Sequence, residues 1–387
     1  MRPHPDVCVV VPTIRDYERI RAYFKNAREY GFDLDRLFVL LVTEDSGDTA
    51  GMRAMLSEEG VGGAVFDETA RERWFHELGL SEYDHLIPAA SHAQTSFGLL
   101  YLWANEAFEY GMFLDDDTAP RPGTDFFGTH LANLDHEGDV TAVESDERWV
   151  NVLYRADGDL YPRGYPYAAM GETVRVGSER VDDVVASQGL WTDVPDLDAV
   201  RILMDGDLKG QAQTRTGPDD YGPDFVAAEG NYLTVSSMNL AFRREVVPAF
   251  YQLPMDDNRW DVGRFDDIWS GLFLKRACDV LDKQIYNGAP LCRHEKAPRS
   301  TFADLQNEVA GLELNEHLWR VVDDVGGDAE SYRGVLRAIA DELVAGDWSD
   351  WANGEFLNYC GRHMHDWLDC LAAIESRSAD RQPAATD

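Results

Sequence analysis

The first 120 residues alternate two hydrophobic patterns, and that alternation leaves few folds available. Residues 7–11 (VCVVV) are a continuous, mostly β-branched apolar run, which suits a strand buried on both faces. Pro12 ends it, and residues 16–30 then carry Tyr17, Ile20, Tyr23 and Phe24 at helical spacing. The cycle repeats: 37–42 reads as a second buried strand, 49–56 as a short helix, 96–108 as a helix apolar nearly all round, and 111–114 as another strand. Strands alternating with helices imply right-handed crossovers and a mostly parallel central sheet, hence an α/β fold. Ligands of such sheets sit at the carboxyl ends of the strands. The loops after Val11, Val42 and Leu114 lie at that end and are predicted to converge on one site.

Beyond residue 139 the pattern loosens. Gly, Pro and Asp are frequent up to 232, and 205–228 reads as a polar insertion. Order returns at 232–242, and 266–281 reads as a helix. From 302 to 372 the chain is mainly helical, with Val335, Leu336, Ile339 and Leu343 forming an apolar stripe. The division predicted is a ligand-binding domain over 1–300, a helical C-terminal region over 301–374 and a disordered tail over 375–387.

Charge narrows the partners. Of 387 residues, 71 are Asp or Glu and 35 are Lys or Arg, a net charge of −36. A surface this acidic repels phosphate backbones and anionic membranes, which argues against a nucleic-acid partner. A phosphorylated ligand would need a metal ion or a local cluster of cations. Lysine occurs only at Lys25, Lys209, Lys275, Lys283 and Lys296, and acid excess spread along the chain with scarce Lys predicts a halophilic protein. The five cysteines lack metal spacing and read as reduced core thiols. No stretch of 18 apolar residues occurs, so no membrane span is predicted, and the location expected is cytoplasmic.

Six segments carry residues suited to chemistry. Asp115-Asp116-Asp117 is unremarkable by composition, since about two acidic triplets are expected by chance at this acid content. Its position directly after a buried strand is what matters, because carboxylates two apart there can hold one divalent cation. A solvated acidic loop is the plain alternative. Thr43–Asp48 offers Asp45 and Asp48 to a nucleobase or ribose, or is a simple turn. Pro12-Thr13-Ile14-Arg15 opens the first helix, where N–H groups and Arg15 can meet a base or phosphate. Neither GxGxxG nor a P-loop is present. Arg163 stands among aromatic and turn residues in YPRGYPY, a setting for sugar stacking and phosphate contact or an ordinary surface turn. Asp266 and Asp267 read as helix caps, as a general base or as sugar-hydroxyl anchors. His294, in His294-Glu295-Lys296, is structural or completes a metal site beside a carboxylate pair.

Together the segments VVPTIR, DDD, RGYPY, SQGLWTDVPDLDA, SMNLAF, GRFDDIWSG and HEKA, in this order between Val9 and about Trp319, resemble the reversibly glycosylated polypeptide family, which includes the UDP-arabinopyranose mutases of plants. The resemblance implies a GT-A-like (Rossmann-like) nucleotide-sugar-binding fold. It implies a UDP-sugar substrate, Mn²⁺ or Mg²⁺ as cofactor, interconversion of pyranose and furanose rings or self-glycosylation, and homo- or hetero-oligomers. It makes Asp115 and Asp117, with His294, the metal ligands. It makes Asp116 part of the diphosphate motif, Arg163 the glycosylated arginine, and Asp266 and Asp267 the acidic pair of the reaction, while Pro12, Thr13, Arg15 and Asp45 are nucleotide contacts expected from their own loops. One position departs: Met170 stands where the family has a second functional Arg, and Arg175 is the nearby replacement considered. A glycosyltransferase and a non-catalytic nucleotide-sugar-binding subunit are the two rival functions.

Overall fold

The computed structural model describes residues 5–13, 17–89, 94–154, 160–255 and 258–381. The first half alternates as the sequence predicts, with β3 and α3 as a strand and a helix it did not predict: β1 (Val7–Pro12), α1 (Arg21–Tyr30), β2 (Leu37–Val42), α2 (Thr49–Glu59), β3 (Gly62–Phe66), α3 (Glu68–Glu77), α4 (Gln94–Ala104) and β4 (Tyr110–Leu114). Then come β5 (Thr118–Pro120), α5 (Phe126–Leu134), β6 (Gly138–Ser145), β7 (Trp149–Val150), β8 (Val174–Val181), β9 (Val184–Asp193), α6 (Ala199–Asp205), β10 (Phe225–Ala227), β11 (Tyr232–Leu233) and β12 (Asn239–Arg243). The chain ends with α7 (Asp266–Leu281), β13 (Gln284–His294), α8 (Thr301–Asp323), α9 (Tyr332–Ala345) and α10 (Glu355–Arg381).

One sheet runs β3-β2-β1-β4-β12-β9-β13-β10-β6-β8, with β5 paired to β13. The four strands β3, β2, β1 and β4 are parallel to one another, while β12 joins β4 and β9 antiparallel. The chain leaves β1 toward β2 and β3 on one side and returns to β4 on the other. The crevice outside β1 and β4 is therefore the switch point of the sheet.

Local details differ from the sequence expectation for readable reasons. The first helix opens as a 3-10 turn, Tyr17–Ile20, before α1. Helix α4 ends at Ala104, four residues earlier than predicted, because Asn105 turns back: its side chain donates to the Tyr101 carbonyl and its N–H to that of Leu102. The stretch read as loosely ordered contains β9, buried from Val184 to Thr192. The segment read as a polar insertion contains β10. Helix α10 continues through residues 375–381, the start of the predicted tail, and 382–387 lie outside the described residues. All five cysteines are free and buried. Among the described residues no helix is long and apolar enough to cross a membrane.

The C-terminal helices close the core on the side of α7. Val335, Leu336, Ile339 and Leu343 of α9 are fully buried, as their stripe predicts, and α9 packs against α7 and α10. Trp367 of α10 stacks on Tyr251 at 4.6 Å between ring centroids. Helix α4 lies on β1 through Gly98, where a Cβ would meet Val10 Cγ1 at 2.4 Å. Gly98→Ala should therefore overpack this contact and cost about 1–3 kcal/mol, measured by urea denaturation, with unchanged stability contradicting the packing.

Candidate functional site

A cleft opens at the carboxyl edge of β1 and β4. Pro12, Asp115, Asp117, Arg163, Asp266, Asp267 and His294 all line it, so most of the residues singled out from sequence meet at one place. The register explains the meeting. Strand β5, just after the Asp triplet, pairs with β13 so that Thr118 faces His294. The Glu295 N–H then donates to the Asp117 carbonyl at 2.9 Å. Across the switch point, Thr13 Oγ1 donates to Asp116 Oδ2 at 2.8 Å, which pins the end of β1 to the acidic loop.

His294 is buried, and its Nδ1 lies 2.8 Å from the Val194 carbonyl. A carbonyl only accepts, so Nδ1 carries the proton and Nε2 is turned toward Asp117 Oδ2, 3.6 Å away. Burial alone would raise the Asp117 carboxyl, but His294 and Arg299 hold it below its ordinary value. Asp115 goes the other way: burial, then the charges of Asp117, Asp267, Asp116 and Asp196, push it well above the carboxylate range. Five carboxylates thus share the end of β4. Oxygen donors in that electrostatic setting fit a hard divalent cation. Among the described residues no three His, Cys, Asp or Glu side chains form a closed cluster, so such a cation would take further oxygens from its ligand.

Arg163 sits at the turn that follows residue 160. Gly164 allows this turn, with φ +89° and its Cα so close to α7 that a Cβ would meet Ile268 Cγ2 at 2.3 Å. Asn315 of α8 holds the Gly164 carbonyl at 2.8 Å and accepts from Trp269 Nε1 at 3.1 Å. The Arg163 guanidinium then spans Asp267 with both terminal nitrogens, each 3.2 Å from a carboxylate oxygen, and reaches Asp196 Oδ2 through Nε at 3.3 Å. It also donates to the Arg264 carbonyl. Burial disfavours its charge, yet Asp196, Asp267 and Glu308 raise its pKa well above the ordinary arginine value. With its donors engaged in this way, Arg163 positions Asp267 and Asp196 in this state and has little left for a phosphate.

Asp267 is bound on one side by Arg163 and also accepts from the Ile268 N–H. Neither acidic residue is the N-cap of α7, which is Phe265; both lie in its buried first turn. Helix α8, beyond the boundary predicted at residue 300, contributes Asp304 and Glu308, which pair with Arg264 at 3.0 and 2.7 Å. Asp45 stands apart from the cleft: it is exposed and accepts from the Thr69 N–H and hydroxyl at the start of α3. Asp48 caps α2 by accepting from the Gly51 N–H at 2.9 Å. Arg15 lies outside the described residues. Arg175 is on β8 and pairs with Glu144, while the guanidinium that meets the Met170 sulfur is that of Arg201.

Asp196, Lys296 and Gln252 also line the cleft, and the sequence reading gave none of them a role. Asp196 is buried, and although burial disfavours its charge, Arg163, Lys296, His294 and Arg264 hold its carboxyl far below the usual range. Lys296 is 6% exposed, its Nζ has no hydrogen-bond partner among the described residues, and burial lowers its pKa to about 8. Its rarity was the available signal, since it is one of five lysines. Gln252 lines the same cleft, a lone amide in an apolar run.

The profile of the reversibly glycosylated polypeptide family matches residues 81–339, about two thirds of the chain. A probable UDP-arabinopyranose mutase 1 of Pisum sativum is 32% identical over 176 residues, 43% of this chain and 42% of that protein. UDP-arabinopyranose mutase 2 of Arabidopsis thaliana is 32% identical over 197 residues, 49% of this chain and 46% of that one. The chain thus matches about half the length of these curated relatives. Solved structures with a similar course include S. aureus TarS 1-349 in complex with UDP-GlcNAc (TM-score 0.37, 10% identity, 99% of this chain and 94% of that one). A mannosyltransferase from Pyrobaculum calidifontis in complex with GDP-Man and Mn²⁺ gives a TM-score of 0.34, 14% identity, and coverage of 99% and 89%. With its profile matched over most of its length, the chain belongs to the reversibly glycosylated polypeptide family.

Proposed function

We propose that the protein is a nucleotide-sugar mutase that interconverts the pyranose and furanose forms of a UDP-sugar with a divalent cation, Mn²⁺ or Mg²⁺, held by Asp115 and Asp117 beside His294. One observation carries the reading: a buried ammonium, Lys296, without a hydrogen-bond partner among the described residues, lines the same cleft as a crowded carboxylate pair. A diphosphate with its cation satisfies both. The family membership and the names of the relatives support the same choice.

The cation, when bound, would offset charge growing on the diphosphate as the bond to sugar C1 breaks. The Lys296 ammonium is a cation that this chain itself would offer to the diphosphate. Nδ1 of His294, fixed by the Val194 carbonyl, keeps Nε2 aimed at Asp117. Asp266 or Asp267 would accept the proton of the hydroxyl that bonds to C1 as the smaller ring closes, and return it to the old ring oxygen as that oxygen leaves C1, after which the diphosphate rejoins C1. Arg163 remains protonated, so its nitrogens lack the lone pair that attack on C1 would require. No redox partner is needed, because the two ring forms are isomers. Thr13 and Asp116 form the polar edge offered to the nucleotide.

The test is a product assay. The protein is incubated with Mn²⁺ and UDP-arabinopyranose, UDP-galactose or UDP-glucose in concentrated salt, and products are separated by chromatography. A UDP-furanose is the expected result. Free UDP with a glycosylated acceptor would instead make it a transferase, and tight binding without turnover would make it a binding subunit.

A further inference from the structure

Gln252 follows the 3-10 turn Arg244–Ala249 after β12 and is 0% exposed. Its backbone is clamped to α4: Ser96 Oγ donates to the Gln252 carbonyl at 3.0 Å and accepts the Gln252 N–H at 3.0 Å. The side chain lines the cleft with Asp115, Asp266 and Lys296, yet neither its Nε2 nor its Oε1 has a hydrogen-bond partner among the described residues. Buried polar atoms are rarely left unpaired in native proteins, and here both ends of one amide are. Two backbone hydrogen bonds thus fix a buried, unsatisfied amide beside the cleft.

The chemistry of the missing partner follows from the amide. Nε2 donates and Oε1 accepts, so the complement must accept and donate side by side. Phosphate oxygens only accept and would leave Oε1 unpaired. A metal ion would leave Nε2 unpaired. Hydroxyl groups supply both roles, and neighbouring hydroxyls on a sugar ring supply them at the right spacing. Among the described residues the cleft therefore holds an ammonium and an amide without hydrogen-bond partners, the first suited to an anion and the second to hydroxyls. A glycosyl diphosphate carries both.

We infer that Gln252 is the sugar-reading residue of the cleft, its carboxamide hydrogen-bonding a pair of ring hydroxyls of the nucleotide sugar; this rests on the nucleotide-sugar reading above. It sets which sugar is held and how the ring is turned toward Asp266. It leaves the nucleotide and the diphosphate untouched.

The experiment compares wild type with Gln252→Met, which keeps length and apolar packing, by calorimetry with Mn²⁺ present. Each is titrated with UDP and with UDP-arabinopyranose, UDP-galactose and UDP-glucose. The variant should bind UDP as wild type does, which also shows that it is folded. It should bind the preferred UDP-sugar about tenfold more weakly, the order carried by two neutral hydrogen bonds. An unchanged preference for UDP-sugar over UDP would overturn the assignment, as would an equal loss for UDP, which would move Gln252 to the nucleotide. Wild type that binds UDP but gains nothing from the sugar would overturn it too. Wild type that binds neither would sink the nucleotide-sugar reading itself, and the assignment with it.

Discussion

Arg163→Met is expected to cost about 3–5 kcal/mol of folding stability, because it strands Asp196 and Asp267 as buried carboxylates without their cation. All three side chains are at most 10% exposed, so solvent screens little of this loss. Arg163→Lys should recover only part of it, since a compact ammonium cannot span two carboxylates as the planar guanidinium does. The sign of the pH dependence follows from Asp196, whose carboxyl is held far below its ordinary value in the folded chain. That share of stability is present above the usual carboxylate pKa and is lost as pH falls through the depressed one. The gap between wild type and variant should therefore narrow in acid. Denaturation curves at neutral and acidic pH measure it, and coincident curves at neutral pH would show that the network is not structural.

The second large effect is chemical. Asp117→Asn keeps the shape of the β4 end but removes one anion from the proposed cation site. Turnover should fall on the order of a hundredfold to a thousandfold, the range seen when one group meeting developing charge is lost. The Mn²⁺-dependent part of UDP affinity should disappear with it. Calorimetry with and without Mn²⁺ separates that part from direct contacts such as Lys296. If Asp117→Asn retained full metal-dependent binding, the diphosphate would have to lie elsewhere.

How much could be read without coordinates depended on where each residue's partners lie. Strands β1, β2 and β4 were legible because burial on both faces writes a continuous apolar run. Strand β9 is as deeply buried, but Ser187 and Gln188 interrupt its pattern. They are tolerated inside because His130, Asn133, Asn287 and the Thr234 carbonyl pair with them. The Asp triplet and Asp266–Asp267 were legible by their places at the end of a strand and the start of a helix. What Arg163 does was not, because its partners stand 33 and 104 positions away. Gln252 was hidden for a different reason: one amide in an apolar run announces nothing until both of its ends are seen to be unpaired.

The cleft is stitched from both ends of the chain. Arg163 meets Asp267 across 104 positions, Gly164 meets Asn315 across 151, and Arg264 meets Asp304 across 40. Closures of this length are slow, and none of these can form before its later partner has been synthesised. On the ribosome, the parallel strands β1 to β4 can assemble while the wall formed by α7 and α8 is still missing. A nascent chain therefore lacks the complete cleft until Asn315 has emerged.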